Sequence, residues 1–188
     1  MGYAIARAAL KAGHSATLIT GPTNLNPPNK ATCHQVKSAH EMFVAVKECI
    51  NEHDVAIFCA AVADYTPINY STEKIKKTEG DLTIELKQTK DILGSARNEF
   101  QYKGILVGFA AESENLLENA KKKLKSKGCD LIAANDISQK ELGFESENNH
   151  LHLLFADGRH IDIPTTSKID LGISLISHCQ ELQHEASS

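Results

Sequence analysis

Apolar residues along this chain recur in three patterns, and each predicts a different kind of element. Short, almost unbroken apolar runs occur at Val55-Ala56-Ile57-Phe58-Cys59, Gly104-Ile105-Leu106-Val107-Gly108-Phe109-Ala110 and Cys129-Asp130-Leu131-Ile132-Ala133-Ala134. Such runs suit parallel strands covered on both faces. Ala16–Thr20 and Ala31–Val36 read as further strands, separated by a loop over 21–29 rich in Gly, Pro and Asn. Helical spacing appears over 3–12, where Ile5, Ala8, Ala9 and Ala12 share a face and Gly13 is placed to end the helix. It returns after Ser38, whose capping-box partner is Glu41, with Met42, Val46 and Ile50 along one side to about Asn51. Asp91 is placed to cap a short helix to about Phe100, and Ser113 to cap one from Glu114 to Lys127, ended by Gly128. A last helix covers roughly 167–183. The alternation of Asp81–Lys87 predicts a half-exposed antiparallel strand. Leu151–Phe155 and His160–Ile163, joined by Asp157-Gly158, predict a hairpin.

This order of elements implies an α/β fold: a Rossmann-like, doubly wound and mostly parallel sheet with an antiparallel addition. One feature departs from that pattern. Doubly wound nucleotide folds open with a strand and a glycine-rich turn, whereas this chain starts at the first helix, with Gly2 as the remnant of any such turn. The expectation is a single domain over 1–188 that lacks the first strand and most of the glycine-rich loop, as a fragment of a longer protein would.

Composition narrows the function classes. A formal charge of −4 gives no general attraction to nucleic acid or to an anionic membrane, and no apolar run reaches the length of a membrane span. The N-terminus lacks the layout of a signal peptide. The five cysteines are scattered, with no C-x-x-C pair, so neither a disulfide framework nor a metal-ligand set is indicated and a cytoplasmic location is expected.

The chemistry concentrates after the strand at 55–59. Ala60, Ala61 and Ala63 leave the strand tip open to a ligand, at the edge where open α/β sheets bind small molecules. Asp64 follows, Pro67 stops any central strand, and Lys74, Lys76 and Lys77 lie in a polar loop. A strand tip, an acid and a lysine cluster point to a site that handles phosphates.

The ordered set Ala60-Ala61-Val62-Ala63-Asp64-Tyr65, Glu73-Lys74-Ile75-Lys76-Lys77, Asp91-Ile92-Leu93, Gly108-Phe109-Ala110-Ala111-Glu112, Asp130–Asp136 and Gly143-Phe144 closely resembles phosphopantothenate–cysteine ligase. In bacteria that family is usually the second half of a bifunctional coenzyme A biosynthesis flavoprotein. The resemblance runs from Met1 to about Leu182. It implies a ligase that joins 4′-phosphopantothenate to cysteine through an acyl cytidylate, cleaving CTP to CMP and pyrophosphate with Mg2+. It implies FMN only where a decarboxylase domain is fused upstream. It also implies a homodimer built through strands comparable to 81–87 and 150–163.

The resemblance assigns residues too. Lys74 is the implied catalytic cation on a mobile flap. Cys59, Ala60, Asp64, Lys74, Lys90, Asp91, Ile92, Leu93, Phe109, Lys123 and Lys127 are implied on the nucleotide, and Ala60 and Ala61 on phosphopantothenate. Lys90 stands where the family often has proline, so a backbone contact is implied there. Asn135 and Asp136 could line the same edge. The family's phosphopantothenate-binding asparagine, in the glycine-rich start, has no counterpart here, so the site is expected to be incomplete.

Plainer readings stand beside these. Lys121-Lys122-Lys123-Leu124-Lys125 looks like any solvated basic helix, Asp64 and Asp91 could be caps, and Phe109 could be core. Tyr70 and Lys74 have the Tyr-x-x-x-Lys spacing of a nicotinamide-dependent short-chain reductase, and a regulatory homologue without catalysis is a third reading. His150 and His152 could share a strand face as metal ligands, or form a solvent-facing pair on a sheet edge.

Overall fold

The structure is a computed structural model that describes residues 1–77, 80–137 and 146–186. Its elements follow the hydrophobic pattern closely. Helix α1 (Gly2–Lys11) leads to β1 (Thr17–Thr20), β2 (Thr32–Gln35) and α2 (Ala39–Cys49), with a short 3-10 turn over Ile50–Glu52. Strand β3 (Val55–Phe58), β4 (Tyr65–Pro67), β5 (Leu86–Gln88) and α3 (Ile92–Asn98) come next. Then follow β6 (Ile105–Glu112), α4 (Leu116–Lys127), β7 (Leu131–Asp136), β8 (Asn148–Phe155), β9 (His160–Ser167) and α5 (Lys168–Ala186).

The central sheet has five strands in the order β3-β6-β7-β8-β9. β3, β6 and β7 run parallel, while β8 and β9 join antiparallel as the expected hairpin. β1 and β2 form a separate parallel pair. Among the described residues no ladder joins β1 to β3.

Alternation along the strands builds two apolar layers. Leu106, Ala110, Ile132, Ala134 and Leu154 face α2, α3 and α4. Val107, Leu131, Ala133, Leu151, Leu153 and Phe155 face α1 and α5. Leu106, Val107, Leu131 and Ile132 are all 0 % exposed, as strands covered on both sides require. Full burial of each such side chain stabilises the fold by about 1.5–3 kcal/mol. Helices on both faces of a mostly parallel sheet make this a doubly wound α/β fold.

Three expectations need correction. The alternating stretch 81–87 pairs only at its end: β5 covers Leu86–Gln88 and lies antiparallel to β4. Leu82 and Ile84 are 65 % and 62 % exposed, so among the described residues no surface buries that apolar face. Ser113 does not cap α4. β6 runs on to Glu112, Asn115 takes the N-cap position in a left-handed conformation, and it makes no side-chain capping bond. The strand expected over 129–134 is instead Leu131–Asp136, with Asn135 and Asp136 inside it. Gly143 and Phe144 lie outside the described residues.

Other local expectations hold at atomic detail. Glu41 N–H donates to Ser38 Oγ (3.1 Å), and Lys37 N–H donates to Glu41 Oε2 (2.9 Å). Gly128 ends α4 at φ 63°, a conformation that favours glycine.

Candidate active site

The C-terminal tips of β3 and β6 and the first turn of α1 open on one cavity of about 1110 Å³. It runs from the space between β1 and β3 to the start of α3 and the inner side of α4. Gly2 lets α1 begin close to the strand tip, since a Cβ there would lie 2.9 Å from Cys59 Sγ. A helix N-terminus beside a strand tip is a favourable place for anions. Cys59, Ala60, Ala61 and Asp64 all line this cavity, as the strand-tip reading requires. Burial pushes the Cys59 thiol up from its ordinary value, so it meets a ligand as a neutral group.

The Asp64 loop is held by its backbone. Thr89 N–H donates to the Asp64 carbonyl (2.9 Å), and Thr89 Oγ1 donates to the Ala63 carbonyl (2.7 Å). The Asp64 residue itself stays exposed at the rim. Its segment is therefore fixed while its carboxylate remains available.

Asp91, Ile92 and Leu93 form a second wall at the head of α3. Asp91 is a cap, because Gly94 N–H donates to its Oδ1 (3.0 Å). It also does something a cap need not do: its Oδ2 accepts from Lys127 Nζ at 2.5 Å. Burial pushes the Asp91 carboxyl up, but the Lys127 hydrogen bond, the Gly94 N–H and the nearby Lys127 and Lys123 charges outweigh it. The carboxyl therefore sits below its ordinary value.

α4 has two lysine faces. Lys122 pairs with Glu118 (2.7 Å) on the outside, and Lys121 and Lys125 are exposed. Lys123 and Lys127 turn inward to the cavity wall, and Lys123 Nζ donates to the Phe109 carbonyl (2.8 Å). The solvated-face reading fails for this pair. Phe109 packs against the cluster of α1 and α5, as the core reading expects, and it also lines the cavity. Lys90 lines the cavity, and its ammonium lies 3.6 Å from Glu99 and 5.1 Å from the Phe43 ring centroid.

Lys74 is not on the cavity wall; it sits on the exposed connection between β4 and β5. Tyr70 is 86 % exposed and neither it nor Lys74 lies in a helix, so the reductase geometry is absent. Asn135 lines the cavity, whereas Asp136 is not on its wall. Sequence reasoning missed Thr89, Glu112 and the buried Asn149, which also line the cavity. Asn149 falls where a polar loop was expected, and Thr89 just beyond a strand read too early; no local signal marks either.

Residues 1–182 match the model of the DNA/pantothenate metabolism flavoprotein C-terminal domain family. The chain belongs to that family. It is 39 % identical over 186 residues to the coenzyme A biosynthesis bifunctional protein CoaBC of Bacillus subtilis, covering 98 % of this chain and 46 % of that protein. With the CoaBC of Escherichia coli K12 it shares 42 % identity over 179 residues, 94 % of this chain and 44 % of the relative. The chain thus spans under half the length of these relatives. Among solved structures it superposes on the C-terminal domain of a CoaBC with a TM-score of 0.82 at 35 % identity, over 98 % of this chain and 82 % of the other. A Cab2 mutant solved in complex with phosphopantothenate-cysteine shares the fold, with a TM-score of 0.78 at 14 % identity over 100 % of this chain and 79 % of the other.

Proposed function

We propose that this family member is the ligase part of a coenzyme A biosynthesis protein, joining 4′-phosphopantothenate to cysteine at the expense of CTP. The observation that carries the reading is the single cavity wall that collects Ala60, Asp91, Phe109, Lys123 and Lys127. It offers small residues at a strand tip, a helix N-terminus and two inward cations, which together suit a nucleoside triphosphate. The phosphopantothenate carboxylate attacks the α-phosphorus. A carboxyl oxygen–phosphorus bond forms, the α–β phosphoanhydride breaks and pyrophosphate leaves. The cysteine amine then attacks the acyl carbon, the acyl–oxygen bond breaks, CMP leaves and the amine's proton passes to solvent.

Lys123 and Lys127 hold the triphosphate, and Phe109 supports the base. Ala60 and Ala61 keep the acceptor side clear. Mg2+ prefers oxygen donors and commonly takes one or two carboxylates besides phosphates. Asp64 and Glu112 on the cavity wall fit that preference. Bound there, the ion would offset phosphate charge. Lys74 reaches the phosphates once the β4–β5 connection closes over the cavity. Any FMN belongs to a decarboxylase domain elsewhere in a longer protein.

Among the described residues no ladder joins β1 to β3, and both strands line the cavity, which supports one further parallel strand between them that carries the glycine-rich turn and a phosphopantothenate contact. Tyr65, Ile68, Tyr70, Ile75, Leu82, Ile84 and Leu86 are all exposed, which supports a dimer surface on the β4–β5 arm. No helix among the described residues is long and apolar enough to cross a membrane. All five cysteines are free, which fits a reducing cytoplasm.

The test is a product assay with CTP, 4′-phosphopantothenate, cysteine and magnesium. It compares residues 1–188 with a chain lengthened by the native upstream strand and turn. CMP and phosphopantothenoylcysteine should form with the longer chain and fall on Lys74→Ala while CTP still binds. No CMP release from the longer chain sinks the reading.

A further inference from the structure

The hairpin of β8 and β9 carries a side-chain cluster that the ligation chemistry does not use. Register brings it together: His152 lies directly opposite Asp162, and His160 is opposite Leu154. A register shift between Asn149 and Leu151 falls at His150. His150 Nε2 is hydrogen-bonded to Asp162 Oδ1. His152 Nδ1 stands 3.3 Å from that oxygen, and His160 Nε2 stands 3.3 Å from His152 Nδ1. Ligand atoms of His150, His152 and Asp162 all fall within 4.8 Å of one another. The imidazoles pack as a row, with ring centroids 4.8 and 5.4 Å apart.

These spacings have a chemical meaning. With metal–nitrogen distances of about 2.0–2.1 Å, the edges of a tetrahedral zinc site are roughly 3.3 Å long. Two edges of the cluster already have that length. The donors are imidazole nitrogens and one carboxylate oxygen, a set suited to a borderline ion such as zinc. Two adjacent paired strands hold all four residues; His150, His152 and Asp162 form the compact group, and His160 joins it through His152. None of the four lines the reaction cavity.

We propose that His150, His152, His160 and Asp162 form a divalent transition-metal site of the zinc class on the outer hairpin. The site pins β8 to β9 and takes no part in ligation. Its occupancy therefore stands or falls independently of the activity proposed above.

The experiment strips the chain of metal and titrates it with Co2+, a spectroscopic stand-in for Zn2+. A visible d–d absorption typical of four-coordinate cobalt should grow to one equivalent and disappear when Zn2+ is added. His152→Ala and the near-isosteric Asp162→Asn should each weaken binding by more than about tenfold with unchanged circular dichroism. Cys33→Ala and His34→Ala should leave it unaltered. Should His152→Ala fail to fold, Asp162→Asn decides alone. A weak octahedral spectrum, or binding unaffected by the folded hairpin variants, overturns the proposal and leaves a hydrogen-bonded histidine patch.

Discussion

Lys127 and Asp91 meet at 2.5 Å, and the strength of that contact decides whether it can serve a site. The aspartate side chain is 53 % exposed, so the pair belongs with surface ion pairs, worth roughly 0–1 kcal/mol. Triphosphate can therefore draw Lys127 away from Asp91 at little cost, and the pair keeps the ammonium placed until then. The same contact predicts a pH effect. Asp91's carboxyl is held below its ordinary value of 3.8, so its stabilisation is present above that pH and is lost as pH falls through the depressed folded value. Thermal unfolding followed from pH 5 to 2 should show the wild type losing stability more steeply on the acid side than Asp91→Asn. Equal slopes would contradict the assigned pairing. At this scale the sequence was half legible. Asp91 could be read as a cap from its place before an apolar helix. Nothing local separates Lys123 and Lys127 from Lys122, because only the packing of α4 beside β6 and α3 turns two of them inward.

Among the elements, α3 depends on two glycines for its position. A Cβ on Gly94 would lie 2.3 Å from Asp91 Oδ2, and one on Gly108 would lie 2.9 Å from Leu93 Cδ2 and 2.7 Å from Ile132 Cδ1. The first keeps the cap in place, and the second lets α3 sit close against β6. The core strands were legible because burial on both faces forces continuous apolar runs. The alternating stretch 81–87 misled for the converse reason. Alternation reports that one face is covered, not which molecule covers it, and within this chain Leu82 and Ile84 stay exposed. If a second copy covers them, light scattering at micromolar concentration should give a dimer. Leu82→Glu with Ile84→Glu should then give a folded monomer. A monomeric wild type would remove the dimer proposal.

Across the whole molecule, the doubly wound arrangement was legible in the order of runs and caps. The division of the sheet was not. β1 and β2 stand apart from the β3-β6-β7-β8-β9 sheet, and strand pairing is a long-range property that no window of sequence carries. The pair His150 and His152 was visible as a spacing, yet only the register of β8 against β9 adds His160 and Asp162 to it. The site follows from the global fold in the same way. Residues from Cys59 to Lys127 reach one cavity because parallel strands end on the same edge.

The central claim is that this edge holds a nucleoside triphosphate between the β3 tip and the inner face of α4. The direct measurement is calorimetric titration of the folded chain with CTP and magnesium, set against Lys127→Ala, Lys123→Ala and the outward Lys122→Ala. One saturable site should appear, weakened by about tenfold or more in each inward variant and unchanged in the outward one. Equal affinity in all four proteins, or no binding in the wild type, would contradict it.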